Sequence, residues 1–453
     1  MKSFFGYILV ICIITNAAVC WASDFYLGVG THIWGQDGNK NMQYIKKMHI
    51  NSIRDEVLWD KVEIEKGKIS IDSRVFNYFN RLEQSNVAPI IILAFGNQFY
   101  DGGKKPTSPE GLKAYSLFVR SVAKKFKGHP VIYEIWNEYD HSAAPSSPQS
   151  YFQLLKSASS VIKSEDPKAE ILAGASTTAG IKSGWVEQLV DLGALQYADG
   201  ISIHPYIHCE RDKSPEAWIK FVSKISSQLQ KANGGKIVPL YLTEMGWPSH
   251  NGACGTVPEE VADYLARSIL LIRTIPGIKG FWWYDLKNDG SKIEEREHNF
   301  GLLDYNYVPK PAFYPLVDVA PLVINGASFK RVTALSGLVV IEITDKQGIK
   351  SFAIWSELNS ETKISVSVTL VKGMSSKVHK IGSSLSDSMS KLIVGSTPLI
   401  LKQNKILNIG SDKKPNQISK DRFLSNGANE LIIDGTPIII TNVRALNVIG
   451  TSR

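Results

Sequence analysis

Between residue 25 and about residue 323, short runs of apolar and β-branched residues alternate with longer amphipathic stretches, the pattern of strand–helix units wound around a parallel sheet. The strand-like runs fall at 25–34, 52–59, 88–97, 131–138, 170–177, 200–206, 239–247 and 278–285. Helical stretches lie between them at 73–85, 109–126, 148–164, 215–231 and 258–273. Several open on Ser-Pro, Thr-x-Pro or Val-Pro, a start that a helix tolerates because its first-turn N–H groups have no intrahelical partner. Eight such units in about 300 residues fit a closed (β/α)8 TIM barrel, whose reactive groups sit on loops at the carboxyl ends of the strands.

Near residue 321 the texture changes. Short alternating runs at 338–344, 363–370 and 431–441, separated by Gly, Ser and Asn, predict a C-terminal β-sandwich domain. Two similar phrases at 394–401 and 433–440 read either as an echo within one sandwich or as the closing strands of two small modules. The expected organisation is a barrel over 23–320 and a β-rich accessory domain over 321–453. That second part holds Trp355 as its only Trp and no Tyr, whereas sugar rings are usually held on aromatic faces; it is expected to brace the barrel, not to bind carbohydrate.

Charge and cysteines refine this picture. The net charge is +8, and the part from Pro321 onward, with 17 Lys and Arg against 9 Asp and Glu, carries all of the excess. No long basic helix and no zinc-ligand spacing accompany it, so nucleic acid is not an expected partner. Residues 1–22 combine Lys2, an apolar run and small residues up to Ala22, the make-up of a cleavable export signal, and no other stretch suits a membrane span. The expected location is periplasmic or extracellular. Cys209 and Cys254 each lie a few residues past a strand end; if those strands are neighbours, a disulfide is the expected outcome in an exported chain.

The candidate chemistry sits at two strand ends. The run at 132–140, Ile-Tyr-Glu-Ile-Trp-Asn-Glu-Tyr-Asp, ends in Asn137 and Glu138, and the run at 238–249 carries Glu244 just before a turn. Two carboxylates at the carboxyl ends of strands four and seven are what cleavage of a glycosidic bond requires. Glu134, four residues before Glu138 on the same strand, should lie roughly 13 Å deeper as a structural carboxylate. The histidines lack metal-ligand spacing and two carboxylates suffice, so neither metal nor cofactor is expected.

Further phrases at successive strand ends carry a resemblance. They are Gly-Val-Gly-Thr-His-Ile-Trp at 28–34, Ile-Arg-Asp-Glu-Val-Leu-Trp at 53–59, Phe-Gly-Asn-Gln-Phe-Tyr-Asp-Gly-Gly at 95–103 and Asn-Phe-Gly-Leu-Leu-Asp at 299–304, with Ile-Trp-Asn-Glu, His-Pro-Tyr and Leu-Thr-Glu. The chain resembles a clan A retaining glycoside hydrolase, most nearly a family 39-like enzyme associated with bacterial exopolysaccharide. The resemblance makes Glu138 the general acid/base and Glu244 the nucleophile, a pair whose like charge would help keep Glu138 protonated. It places Arg54 beneath Glu244, where the alternative is a structural salt bridge with Asp55 or Glu56, and makes Trp283 the floor of the subsite where the bond breaks. His204 and Tyr206 end strand six beside the strand of Glu244, so Tyr206 is the candidate donor to Glu244 and His204 either a site or a core histidine. Asn137 would hold the sugar 2-hydroxyl. His32, Trp34, Asn97 and Tyr100 are candidates for sugar contacts, Trp247 for lining the cleft, and Trp282 for packing.

One departure is Asn-Glu-Tyr where the family commonly has Asn-Glu-Pro, which changes loop stiffness beside Glu138. The expected activity is endo-acting cleavage of a polysaccharide by double displacement. Two alternatives stay open: a family 5-like endoglucanase or mannanase, disfavoured by Asn97 where family 5 commonly has histidine, and a non-catalytic polysaccharide-binding protein on an inactive barrel.

Overall fold

The structure is a computed structural model and describes residues 25–141, 146–332, 337–357, 362–370, 376–381, 422–424, 427–433 and 437–452. The expected signal segment 1–22 and the phrase at 394–401 lie outside the described residues. Strands β1 (Tyr26–Gly30), β2 (Ser52–Leu58), β3 (Ala88–Ala94), β4 (Ile132–Ile135), β5 (Glu170–Ser176), β6 (Gly200–Ile203), β7 (Leu240–Met245) and β8 (Ile278–Trp283) pair in sequence order and close on one another, β8 against β1, in parallel register. This is the (β/α)8 barrel that the alternating pattern predicts.

The helices between and around the strands are α1 (Gly38–Met48), α2 (Trp59–Val62), α3 (Ser73–Glu83), α4 (Pro109–Lys125), α5 (Pro148–Glu165), α6 (Thr178–Lys182), α7 (Trp185–Asp191), α8 (Pro215–Ala232), α9 (Pro258–Ile272) and α10 (Phe313–Asn325). Helices α4, α5 and α8 start as their sequences suggest. Ser108, Ser147 and Ser214 accept the N–H of the residue three further on, and the following proline fills the first helical position, where no N–H is missed. Each such cap is worth about 1 kcal/mol.

Alternation along the strands sorts the barrel into two cores. Tyr26, Ala88, Ile90, Ile132, Leu172, Tyr241 and Trp282 point inward and form a closed interior cluster, whereas Leu27, Ile91, Tyr133, Phe281 and Trp283 join the larger cluster shared with the helices. Gly28 is required by that interior: a Cβ there would sit 2.3 Å from Cδ1 of the Trp282 indole. The interior is therefore filled, and chemistry is confined to the mouth.

Beyond α10 the chain forms antiparallel strands β9 (Gly326–Val332), β10 (Leu338–Asp345), β11 (Lys350–Ser356), β12 (Thr362–Leu370), β13 (Ser376–Lys380), β14 (Arg422–Leu424), β15 (Gly427–Ile433) and β16 (Ile438–Ser452). The first part of β16 pairs with β11 and β13 and its later part with β12, which in turn pairs with β15. One long strand thus serves two groups of partners, as in a β-sandwich-like domain. Trp355 of β11 is fully buried, and its indole N–H donates to Oε1 of Glu216 on α8 at 2.8 Å. Arg267 of α9 pairs with the same carboxylate.

Candidate active site

The residues that meet at the barrel mouth come from β2, β4, β6 and β7. Arg54 occupies the third position of β2, points inward and is 4% exposed. Its guanidinium donates from Nε to Glu134, from Nη1 to Oε1 of Glu244 and from Nη2 to Oδ1 of Asn137, each at 2.6 Å. Burial alone would lower its pKa, but the charges of Glu134 and Glu244 raise it above the ordinary value, so it is a fixed cation. Arginine offers only donors, so Asn137 must turn its oxygen toward Arg54, which leaves the Asn137 amide N–H groups to face outward.

Glu134 is fully buried, as expected, but it is not remote. It lies one guanidinium away from Glu244. Beyond Ile135, where β4 stops, the chain turns, with Trp136 (φ 67°) and Glu138 (φ 48°) in the left-handed region that side chains seldom adopt. That turn is held by the Glu138 N–H, which donates to Ala175 O at 3.0 Å. A strained turn at this position aims Glu138 across the mouth and not along the strand.

Glu244 stands in β7 and is held at both oxygens, by Arg54 at Oε1 and by the Tyr206 hydroxyl at Oε2, 3.1 Å away. Burial and the neighbouring Glu244 charge push the Tyr206 pKa well above 10, so the phenol stays a neutral donor. His204, fully buried just past β6, lies between the two glutamates: its Nδ1 is 2.9 Å from Oε1 of Glu138 and 3.6 Å from Oε2 of Glu244, and Nε2 meets Thr243. An oxygen of Glu138, an oxygen of Glu244 and a His204 nitrogen all lie within 4.8 Å of one another.

His204 changes the expected electrostatics. Burial tends to raise the Glu138 pKa, yet the hydrogen bond from His204 and the positive charges of His204, Arg54 and His141 pull it below the ordinary carboxylate value. Burial tends to lower His204, and the Glu244 charge with the hydrogen bond to Glu138 raise it. The like-charge repulsion expected to keep Glu138 protonated is opposed by the hydrogen bond it shares with His204, and the two groups titrate as a pair.

Several candidates fall elsewhere. Trp283 does not present a face to the mouth: it is 1% exposed, packs against Trp247 on the helix side and donates its N–H to Phe300 O. Trp282 points inward and donates to Ser52, so the residue two further on, half-buried Tyr284, is the one in phase with the site. Tyr284 meets His32 edge-on, with ring centres 5.9 Å apart, and lies close enough to Glu244 for that charge to act on it. Asn97 is fully buried with its amide spent on Glu63 O and Phe99 N, so it braces a loop and does not face substrate. Tyr100 stacks on Trp59 and donates to Glu63, Trp247 is fully buried, and the half-buried Trp34 donates its N–H to Glu56 O. His32 does reach the mouth, between Glu56 and Asp285. Cys209 and Cys254 are joined in a disulfide, tying the loops after the neighbouring strands β6 and β7.

Comparison with known proteins follows the same lines. No curated protein matches the chain in sequence. Among solved structures, a family 39 glycoside hydrolase from the gut symbiont Bacteroides cellulosilyticus is 22% identical, with a TM-score of 0.72 over 93% of this chain and 81% of that one. A monomeric β-xylosidase from Caulobacter crescentus is 14% identical, with a TM-score of 0.60 over 93% and 97%. An exo-β-1,4-mannosidase from an Opitutaceae bacterium is 17% identical, with a TM-score of 0.52 over 66% and 59%. These likenesses establish the shared fold. Residues 22–283, more than half of the chain, match the family described as Cellulase (glycosyl hydrolase family 5). Asn97 therefore does not separate the chain from family 5, since its amide is committed to the loop. The chain belongs to the Cellulase (glycosyl hydrolase family 5) family and is a clan A retaining glycoside hydrolase with family 39 enzymes among its structural neighbours.

Proposed function

We propose that this glycosidase cleaves an extended polysaccharide, with Glu244 as nucleophile and Glu138 as general acid/base. The observation that carries the assignment is the approach of the two carboxylates to within 4.8 Å with His204 between them, the spacing of a pair that works by double displacement and not through an intervening water. Glu244, with both oxygens held, attacks the anomeric carbon while Glu138 protonates the departing oxygen; Glu138 then takes a proton from water, which breaks the glycosyl ester and returns Glu244. Arg54 and Tyr206 hold the attacking carboxylate in place, and the outward amide of Asn137 donates to the sugar 2-hydroxyl. A sugar that covers the exposed side of Glu138 adds to its burial, the influence that raises its pKa, and so moves the pair's proton toward the leaving group.

A substrate longer than one sugar is supported by Phe95. At the carboxyl end of β3, its ring is 47% exposed and meets Trp136 edge-on, an apolar face on which a chain can rest beside Glu138. The disulfide supports work in an oxidising space outside the cytoplasm, periplasmic or extracellular, and an exopolysaccharide is the substrate class in keeping with the family 39-like phrases of the sequence.

Glu244→Gln should lower kcat on 2,4-dinitrophenyl β-glycosides by on the order of 10^4-fold while polysaccharide binding is retained. Undiminished turnover, or loss of binding in parallel with turnover, would sink the assignment. Product sizing on purified polysaccharides tests the endo mode: oligosaccharides of mixed length are expected, and release of single sugars alone contradicts it.

A further inference from the structure

Next to the reacting pair, on the β8–β1 side of the mouth, lies a cluster that the steps above do not use. Asp285 is 1% exposed, and neither of its carboxylate oxygens has a hydrogen-bond partner among the described residues. His32 donates toward Glu56 through Nδ1, at 3.3 Å, while its Nε2 is also without a partner. That Nε2 lies 3.9 Å from Oδ2 of Asp285, too far for a hydrogen bond, and a ring nitrogen of His32, an oxygen of Asp285 and an oxygen of Asp289 all lie within 4.8 Å of one another. Asp289 is fixed in turn by the Tyr284 hydroxyl at 3.0 Å.

A buried carboxylate without donors is costly: burial and the Asp289 charge push the Asp285 pKa well above the ordinary carboxylate value, and the charges of His32, Lys310 and Lys287 offset this only in part. Nearby Lys287 and Lys310 feel its charge but spend their ammonium groups on Asn288 and Asn299. The vacant valences are two acceptors on Asp285 and one donor on His32. A metal ion is disfavoured by those two lysines. A hydroxyl fits, because it accepts from one side and donates to the other, and an oxygen seated between atoms 3.9 Å apart reaches both at hydrogen-bond length. Two adjacent hydroxyls fill all three valences.

We propose that Asp285 and His32 form a subsite for a vicinal diol of the sugar unit bound on this side of the reacting centre, with Asp285 accepting both protons and His32 donating to one oxygen. The inference rests on the reading of the substrate as carbohydrate. It implies that both hydroxyls of that unit are free, so the polysaccharide is neither linked through nor substituted at those two positions.

Titration calorimetry with methyl β-D-xyloside, methyl β-D-glucoside and methyl β-D-mannoside tests it. At least one should bind the wild-type protein, and Asp285→Asn should weaken that binding by about 10-fold to 100-fold. A monodeoxy analogue lacking one of the two hydroxyls should bind the wild-type protein more weakly, yet lose little further in Asp285→Asn, because the partner is already gone. The ratio is read within each folded protein. Asp285→Asn replaces a buried carboxyl that has no hydrogen-bond partner among the described residues and should keep or raise Tm. Binding of none of the glycosides, or equal binding by Asp285→Asn, overturns the subsite. If Asp285→Asn binds normally while Glu244→Gln still abolishes turnover, the subsite falls and the glycosidase assignment stands; binding without turnover in the wild-type protein gives the converse.

Discussion

At the scale of single residues, the site turns on where protons rest. The Glu244 charge and the hydrogen bond to Glu138 raise the His204 pKa, and that hydrogen bond with the charges of His204, Arg54 and His141 lowers the Glu138 pKa, so the pair binds its proton as a unit. The alkaline limb of kcat/KM reports loss of that proton from the pair. His204→Asn should move the limb to lower pH, because a carboxyl alone then holds the proton; an unmoved limb would show that His204 takes no part. His32 makes a second, separable prediction. Burial lowers its pKa, but Glu56, Asp285 and Asp289 outweigh this and lift it to about 10. A histidine raised on folding contributes stability that is complete below its unfolded value near 6.5 and is lost as pH rises toward about 10. The difference in Tm between wild type and His32→Gln should therefore shrink across that window, and a constant difference would contradict it. Not all of this was legible in sequence. Glu138, Glu244, Arg54 and Tyr206 announced themselves as polar residues closing apolar runs. Tyr284 did not, because choosing between Trp283 and its neighbours requires the phase of β8, and the four consecutive aromatic residues at 281–284 give no alternation to read. Asp285 and His204 needed the partners that only folding supplies.

At the scale of elements, the loop after β4 shows how this chain does without proline beside Glu138, the proposed acid. Lys105, from the loop after β3, donates Nζ to Tyr139 O at 2.7 Å and to His141 O at 3.0 Å, and its ammonium lies 4.7 Å over the Tyr139 ring. Asp140 accepts from the Thr177 N–H and hydroxyl, tying the same loop to β5. The Tyr139 side chain is fully buried. The stiffness that a ring in the backbone would give is replaced by a clamp on two carbonyls. Lys105→Met should then cost roughly 10-fold to 100-fold in kcat on substrates with poor leaving groups, which need a well-placed acid, and much less on 2,4-dinitrophenyl glycosides. Lys105→Arg should recover part of the loss, and an equal loss on both substrate classes would indicate a merely structural role. The strand phrases and the Ser-Pro helix starts were readable because period and cap are local signals. Helices α1, α2, α6, α7 and α10 were not among those expected. Of these, α6 and α7 are short, and α10 carries Pro321 inside it, at the residue where the texture of the sequence changes.

At the scale of the whole molecule, barrel and sheet share one apolar cluster in which Phe329, Val339, Ile341 and Trp355 join the barrel's helix-side residues. Arg273, at the end of α9, lies over the rings of Phe25 at the start of β1 and Phe329 of β9, and donates to Gly326 O. The polar centre of this contact is Glu216, which receives Arg267 and the Trp355 indole together. A buried ion pair is weak evidence of stability by itself, but removing one donor from it leaves charge uncompensated in an apolar setting. Trp355 supplies both a donor and the largest buried side chain of the sheet, so the two halves should unfold as one unit while it is present. Trp355→Phe keeps most of the volume and removes the hydrogen bond, at a cost of about 1.5–3 kcal/mol for a bond to a charged group. Trp355→Ala adds a cavity, and its cost should reach about 3–5 kcal/mol. Calorimetry should show one transition in the wild-type protein, the same transition at lower temperature in Trp355→Phe, and two transitions in Trp355→Ala as the sheet melts away from a barrel that still holds its reacting pair. Turnover of an aryl glycoside between those two transitions separates the roles of the halves. If activity disappears with the first, the sheet shapes the mouth as well as bracing the barrel, and a purely supporting role for it is wrong.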